Sequence, residues 1–289
     1  MSPGPRASVL IRTRDGGERL RRVVAQVEAQ REVEFEVVLL DSGSTDGVSA
    51  ALAGGRVRWV GLEGPFTHPR SSNAAARAAR GELLVFLSQD AVPLADRWLA
   101  RLLAPLEEPA VAAAFSRQVP DARTPALEAR DLERAYPPRG ASPTVLSNAA
   151  SVLRRALWAE HPFDESLPLA EDLEWGLWAQ ARGLRVAYVP ESVVEHPHRF
   201  DESRLDERYR AEGRALAQLG RNPFGAGPPA GAWLRGLPGD LAAVLRAGRW
   251  RELGTPWSYH LRMYRALRAG YEDVARASAA APETAGERR

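Results

Sequence analysis

The sequence predicts an α/β protein: a mostly parallel central sheet flanked by helices, with a helical extension at the C-terminal end. Three observations predict it. Leu83–Leu87 (L-L-V-F-L) is an unbroken apolar run bounded by Gly81 and Pro93, the pattern of a strand buried on both faces. Two further runs, Ala7–Ile11 and Phe35–Leu40, flank a stretch of helical period at Leu20–Val27. Beyond Phe200 such runs stop, and Pro, Gly, Trp and Arg dominate instead.

Composition narrows the function classes. The 289 residues suffice for one large domain, or a domain with an appendage. There is no Cys, which excludes disulfides, thiolate nucleophiles and Cys-ligated zinc or iron–sulfur centres. A formal charge of +2 gives no reason to expect a nucleic-acid partner. All 39 basic residues are Arg, which removes Schiff-base chemistry and a P-loop lysine. No apolar run is long enough to span a bilayer, and Met1–Arg6 lacks a signal peptide's apolar core, so the expected location is the cytoplasm.

Taken in order, Ala7–Ile11 is a strand running into the polar turn Arg12-Thr13-Arg14-Asp15-Gly16-Gly17. The helix Leu20–Val27 returns the chain to a second strand, Phe35–Leu40, which ends in Asp41-Ser42-Gly43-Ser44-Thr45-Asp46-Gly47. This is a βαβ unit, right-handed and parallel by default. Val57–Val60 is a third strand; Ser71–Arg80 is an Ala-rich helix that feeds the strand at Leu83; another helix begins near Leu94. Ligands of open α/β sheets sit beyond the carboxyl ends of the strands. Ser88, Gln89 and Asp90 follow the central strand, so Asp90 is either a hard oxygen ligand or an N-cap for the next helix. Asp41 either accepts hydrogen bonds from a base and a ribose, or only shapes its turn. No G-x-G-x-x-G follows the first strand, which argues against a nicotinamide or flavin enzyme.

The segments Val9-Leu10-Ile11-Arg12-Thr13, Val38–Asp46, Asn73-Ala74-Ala75 and Gly81–Ala91 together resemble glycosyltransferase family 2, whose fold is GT-A. Ser88-Gln89-Asp90-Ala91, in place of the commoner Asp-x-Asp, is similar to the bacterial rhamnosyltransferase branch, as are Phe115–Pro120 and Leu146–Arg155. The resemblance runs from about Ser8 to Phe200. It implies an inverting hexosyltransferase that uses a nucleotide diphosphate sugar and a divalent metal, Mn2+ or Mg2+. It implies Asp172 as general base, with Glu171 beside it to position the acceptor. Asp90 would hold the metal, completed by His196, the first His of His196-Pro197-His198; a structural His196 remains the alternative. Donor contacts would come from Thr13, Arg14, Asp41, Ser44, Asn73, Ser88 and Gln89, and from Arg70, whose guanidinium suits a diphosphate or merely faces solvent. Ser88 stands where the family usually has a first acid, which weakens the hold on a cation. The implied donor is dTDP-rhamnose, and the implied acceptor is a cell-surface glycan or a polyprenyl-linked precursor. A catalytically silent GT-A module that binds nucleotide sugar as a scaffold is the alternative.

The expected division is a catalytic domain at 1–203 and a helical extension at 204–289. In the extension, Asp201–Leu219 is a polar helix, Asn222–Pro229 is a linker, and Trp233–Tyr271 forms several short amphipathic helices. Those helices either pack on the core or offer Trp and Arg to a membrane surface. The tail from Ser278 is expected to be disordered.

Overall fold

The computed structural model describes residues 4–197, 202–224 and 230–280. The chain begins with β1 (Ala7–Thr13), α1 (Gly17–Glu28), β2 (Phe35–Asp41), the single turn α2 (Val48–Ala51), β3 (Val57–Gly61) and α3 (His68–Ala78). It continues with β4 (Leu83–Ser88), the short β5 (Val92–Pro93), α4 (Trp98–Leu103), β6 (Val111–Val119), α5 (Ala126–Ala135), β7 (Ala150–Arg154) and α6 (Arg155–Glu160). Next come α7 (Glu171–Ala181), β8 (Arg185–Glu195), α8 (Glu202–Gln218), α9 (Ala230–Arg246) and α10 (Thr255–Ala280). The chain divides into two compact units, Met1–Glu165 with Glu171–His198, and Ser166–Ala170 with Arg199–Arg289.

In the first unit the strands form one eight-stranded sheet in the order β3-β2-β1-β4-β7-β6-β8-β5. The apolar runs are continuous because both faces are covered. Val9, Ile11, Val37, Leu39, Val85 and Leu87 face the side of α1 and α4. Leu10, Val38, Leu40, Leu84 and Phe86 face the side of α3 and α7. Alternation along a strand sends neighbours to opposite faces, so a strand apolar on both faces must lie between two layers.

The β1–β2, β1–β4, β2–β3 and β6–β8 pairings are parallel. β7 runs the other way, antiparallel to both β4 and β6. The carboxyl ends of β1, β2, β4, β6 and β8 therefore share one edge with the start of β7. The first half of the chain follows the sequence expectation closely. The helix expected near Leu94 starts instead at Trp98, because the Leu94 N–H donates to Val193 O (3.1 Å) and extends the β5–β8 pairing.

In the second unit, the expected series of short helices is instead two longer ones, α9 with Pro238 inside it, and the 26-residue α10. Pro and Gly misled the expectation for a physical reason. Gly270 and Gly213 lie where α8 and α10 cross so closely that a Cβ at either would strike the backbone of the other helix, at Arg210 and Leu267 respectively. These glycines join helices rather than end them. The expected linker falls partly at 225–229, outside the described residues. α10 continues through Ala280, past the expected start of a disordered tail, and 281–289 lie outside the described residues.

Gly270→Ala should push α10 off α8 and cost about 1–3 kcal/mol, the range for a side chain forced into a filled contact. Urea denaturation followed by circular dichroism reads this directly; an unchanged midpoint would contradict the close crossing.

Candidate active site

The sheet edge gathers the chemistry-bearing residues in three groups. The first is the loop pair after β1 and β2. Asp41 is buried, and its carboxylate is occupied by its own loop: the Ser44 N–H and Oγ donate to Oδ1 at 2.9 and 2.6 Å, and Ser49 Oγ donates to Oδ2 at 2.8 Å. Burial works to raise its pKa, but these bonds outweigh it and hold the carboxyl below the usual carboxylate value. Ser44 also accepts from the Asp15 N–H. Thr13 Oγ1 donates to Gln89 Oε1 at 2.7 Å and the Arg14 N–H donates to the same oxygen at 3.0 Å, so Gln89 clips the β1 loop to the β4 loop. Gly16 permits that clip, since a Cβ there would come within 2.9 Å of both Gln89 Oε1 and Thr13 Oγ1.

The second group surrounds Asp90. Its carboxylate is part exposed, and Oδ1 lies 3.3 Å from Nε2 of the largely buried His196. Burial acts to raise the Asp90 pKa; the His196 contact and charge, with Arg19 nearby, more than offset it and leave the group lowered. Arg19 donates to the carbonyl oxygens of both Asp90 and Glu195, fixing the two loops side by side. Among the described residues no cluster of three or more His, Cys, Asp or Glu is arranged around a metal position. One carboxylate and one imidazole facing the same space fit a divalent cation that takes its remaining ligands from phosphate oxygens and water, and the nitrogen suits Mn2+ better than Mg2+. His198 lies outside the described residues.

The third group is the start of α7. The backbone N–H of Asn148, just before β7, donates to Asp172 Oδ2 at 2.9 Å, and the Leu173 N–H donates to Oδ1 at 2.8 Å. Burial, then the charge of Glu171, pushes the Asp172 carboxyl up to about 6; the two N–H groups and Arg12 pull the other way without prevailing. Glu171 is buried, with Arg12 Nη1 at 3.7 Å from its Oε1. Arg12 also donates to His68 O, so β1, α3 and α7 meet at this guanidinium.

Asn73 is a correction to the sequence reading. Its Nδ2 donates to Phe163 O (2.8 Å) and Glu165 Oε1 (3.0 Å), and its Oδ1 accepts from Trp158 Nε1 and the Phe163 N–H (both 3.1 Å). Two donors and two acceptor positions are the whole capacity of an amide, so Asn73 braces the core and has nothing left for a ligand. Arg70 donates to Glu63 O at 3.0 Å and supports the loop after β3. Ser88 ends β4, its N–H donating to Ala149 O at 2.9 Å.

Sequence reasoning missed Arg12, Gln118 and Asn148 as site residues. Arg12 was legible only as one arginine of many; the other two act through a side-chain bond and a backbone N–H that only the sheet topology reveals.

The sheet edge thus carries a half-buried acid of raised pKa on one side and a carboxylate–imidazole pair on the other. The sequence pattern described as "Glycosyl transferase family 2" matches residues 8–151. O-antigen chain rhamnosyltransferase RfbN of Salmonella typhimurium is 27% identical over 222 residues, covering 70% of this chain and 69% of RfbN. O-antigen chain rhamnosyltransferase WbaN of Salmonella anatum is 28% identical over 190 residues, 60% of each chain. Among solved structures, mannosyltransferase PcManGT from Pyrobaculum calidifontis, in complex with GDP-Man and Mn2+, superposes with a TM-score of 0.60 at 21% identity, covering 96% of this chain and 76% of that one. Glucosyl-3-phosphoglycerate synthase from Mycobacterium tuberculosis, bound to Mn2+, UDP-glucose and phosphoglyceric acid, gives 0.56 at 20% identity, covering 77% and 82%. The chain belongs to glycosyl transferase family 2 and has the GT-A fold. It is a glycosyltransferase with a nucleotide-sugar donor.

Two expectations follow from the electrostatics of Asp172. A carboxyl at about 6 must lose its proton to act as a base, so kcat/KM should rise with pH through about 6. The sign for stability is the opposite. Its pKa is raised on folding, so the stability from the protonated form is full below the unfolded value of 3.8 and is lost as pH rises through about 6. Arg12→Ala should move the activity limb to higher pH and Glu171→Gln to lower pH. Coincident pH–rate profiles for parent and both variants would refute this account of the carboxyl pair.

Proposed function

We propose that the chain is an inverting glycosyltransferase in which Asp172 is the general base and Asp90 with His196 holds a divalent cation beneath the donor diphosphate. The observation that carries this is the opposed pair of acids on one sheet edge: Asp172 pushed up to about 6, Asp90 held low. Two carboxylates driven apart in pKa divide the labour of proton transfer and charge stabilisation. An acceptor hydroxyl gives its proton to Asp172 as its oxygen attacks the anomeric carbon. The bond from that carbon to the diphosphate breaks on the opposite face, and nucleoside diphosphate departs. A bound cation would act there as a Lewis acid on the diphosphate. That PcManGT and glucosyl-3-phosphoglycerate synthase were solved with Mn2+ supports Mn2+ as the metal. Thr13, Arg14, Asp41, Ser44, Ser88, Gln89 and Arg70 would form the walls of the donor site, with most of them shaping loops as well as touching ligand. Glu171, paired with Arg12, would orient the acceptor.

The donor we propose is dTDP-rhamnose, and the acceptor a hydroxyl of a growing surface glycan, free or polyprenyl-linked. The rhamnosyltransferases RfbN and WbaN support the sugar. Residues 1–203 would carry catalysis, and 204–289 would form a helical extension. None of the described helices is long and apolar enough to cross a membrane. Leu245, Trp250, Leu253 and Trp257 are exposed within thirteen residues that also carry Arg246, Arg249 and Arg251. That composition suits peripheral contact with an anionic bilayer, where a lipid-linked acceptor would reside.

Asp172→Asn should lower kcat by about 10²–10⁴-fold, the usual contribution of a positioned base, while donor affinity stays unchanged. Transfer from a panel of nucleotide sugars, followed by NMR of the product anomer, tests both base and stereochemistry. Equal rates for mutant and parent end the base assignment. Binding without turnover of any donor would favour the scaffold reading.

A further inference from the structure

We infer that Gln118 is a positioning residue that aims Nε2 of His196 at the cation site; this rests on the cation reading above and adds to it the residue that sets the ring. Gln118 lies near the end of β6 and is 1% exposed. β6 and β8 pair in parallel with Gln118 opposite Val194 and Val119 opposite Glu195, after a register shift between Ser116 and Arg117. The His196 N–H donates to Val119 O at 3.0 Å, which carries the pairing one residue past β8 and brings the imidazole over Gln118.

Gln118 Oε1 lies 2.7 Å from His196 Nδ1, so the ring donates its Nδ1–H to the amide oxygen. The amide is pinned at its other end, where Nε2 donates to Ser147 Oγ at 2.9 Å. Rotating the amide by half a turn would set its N–H2 against Nδ1, make that nitrogen the acceptor and move the ring proton to Nε2, where it would block a metal. With a cation bound, Gln118 would hold the ring proton on Nδ1 and leave Nε2, which faces Asp90 Oδ1 at 3.3 Å, free to bind it. A ring nitrogen can bind a metal only through a free lone pair, and the bond at the opposite nitrogen decides which one is available.

The same amide joins the two halves of the site. Gln118 touches His196 on the cation side and Ser147 on the other, and the next residue, Asn148, holds Asp172 through its backbone N–H. The cation side and the base side therefore share one rigid support.

The test is Mn2+ binding to the full chain in saturating dTDP, whose phosphates complete the ligand set, read from the electron paramagnetic resonance of free Mn2+ against dTDP alone. Gln118→Leu, of similar volume but without an acceptor, should weaken Mn2+ roughly ten- to a hundredfold, the usual loss when a ligating His loses its partner. Gln118→Glu keeps an acceptor oxygen and should retain the parent's affinity or exceed it, which separates ring positioning from simple packing and serves if the Leu variant does not fold. His196→Ala and Asp90→Asn should weaken binding at least as much. Loss in those two variants with parental affinity in Gln118→Leu would overturn the role of Gln118 and leave the cation site standing. Weakened binding by Gln118→Glu would overturn it as well. No saturable binding by the parent, or the same affinity in all variants, would defeat the cation reading and this inference with it.

Discussion

The antiparallel pairing of β7 with β4 is the constraint on which the site depends. β7 is flanked by strands of opposite direction, so its start, not its end, reaches the functional edge. Ser88 at the end of β4 donates to Ala149 at the approach to β7, and the residue before Ala149 holds Asp172. A parallel β7 would deliver Asn148 to the far edge and leave the acid at the head of α7 without that N–H. One reversed strand thus brings an acid from the first half of the sheet and an acid from the second half to a common edge.

That arrangement explains how one edge can hold two carboxyl groups in opposite states. Asp90 is part exposed and beside an imidazole, so its charge is solvated and balanced. Asp172 is half-buried, crowded by Glu171, and has two N–H donors and a more distant arginine to balance it. Removing water and adding a like charge both favour the proton, and together they outweigh two hydrogen bonds. The balance is local, and small changes at Arg12 or Glu171 would tip it either way.

Much of the first unit was legible in the sequence because burial on two faces leaves an unmistakable mark: Leu83–Leu87 and Val37–Leu40 carry no polar residue on either face. Asp41, Asp90 and Asp172 were legible as acids placed after strands or at a helix start. Their partners were not. Gln118 is one glutamine inside a strand, Asn148 acts through its backbone, and Arg12 is one of 39 arginines. Asn73 was misjudged because a motif shows that an amide is needed but not what it bonds; its four partners come from α6 and from Phe163 and Glu165, far along the chain. In the second unit Pro238 and Gly270 looked like helix ends, yet one is carried inside a helix and the other allows a close crossing.

The account comes down to one placement: a cation between Asp90 and His196, with Asp172 across from it on the far side of the sugar. Anomalous diffraction at the manganese edge, from crystals of the chain with Mn2+ and an unreactive nucleotide-sugar analogue, measures it directly. The account predicts a single manganese peak within bonding reach of Asp90 Oδ1 and His196 Nε2, and an anomeric carbon whose open face looks toward Asp172. A peak coordinated elsewhere, or an open face turned away from Asp172, would contradict it.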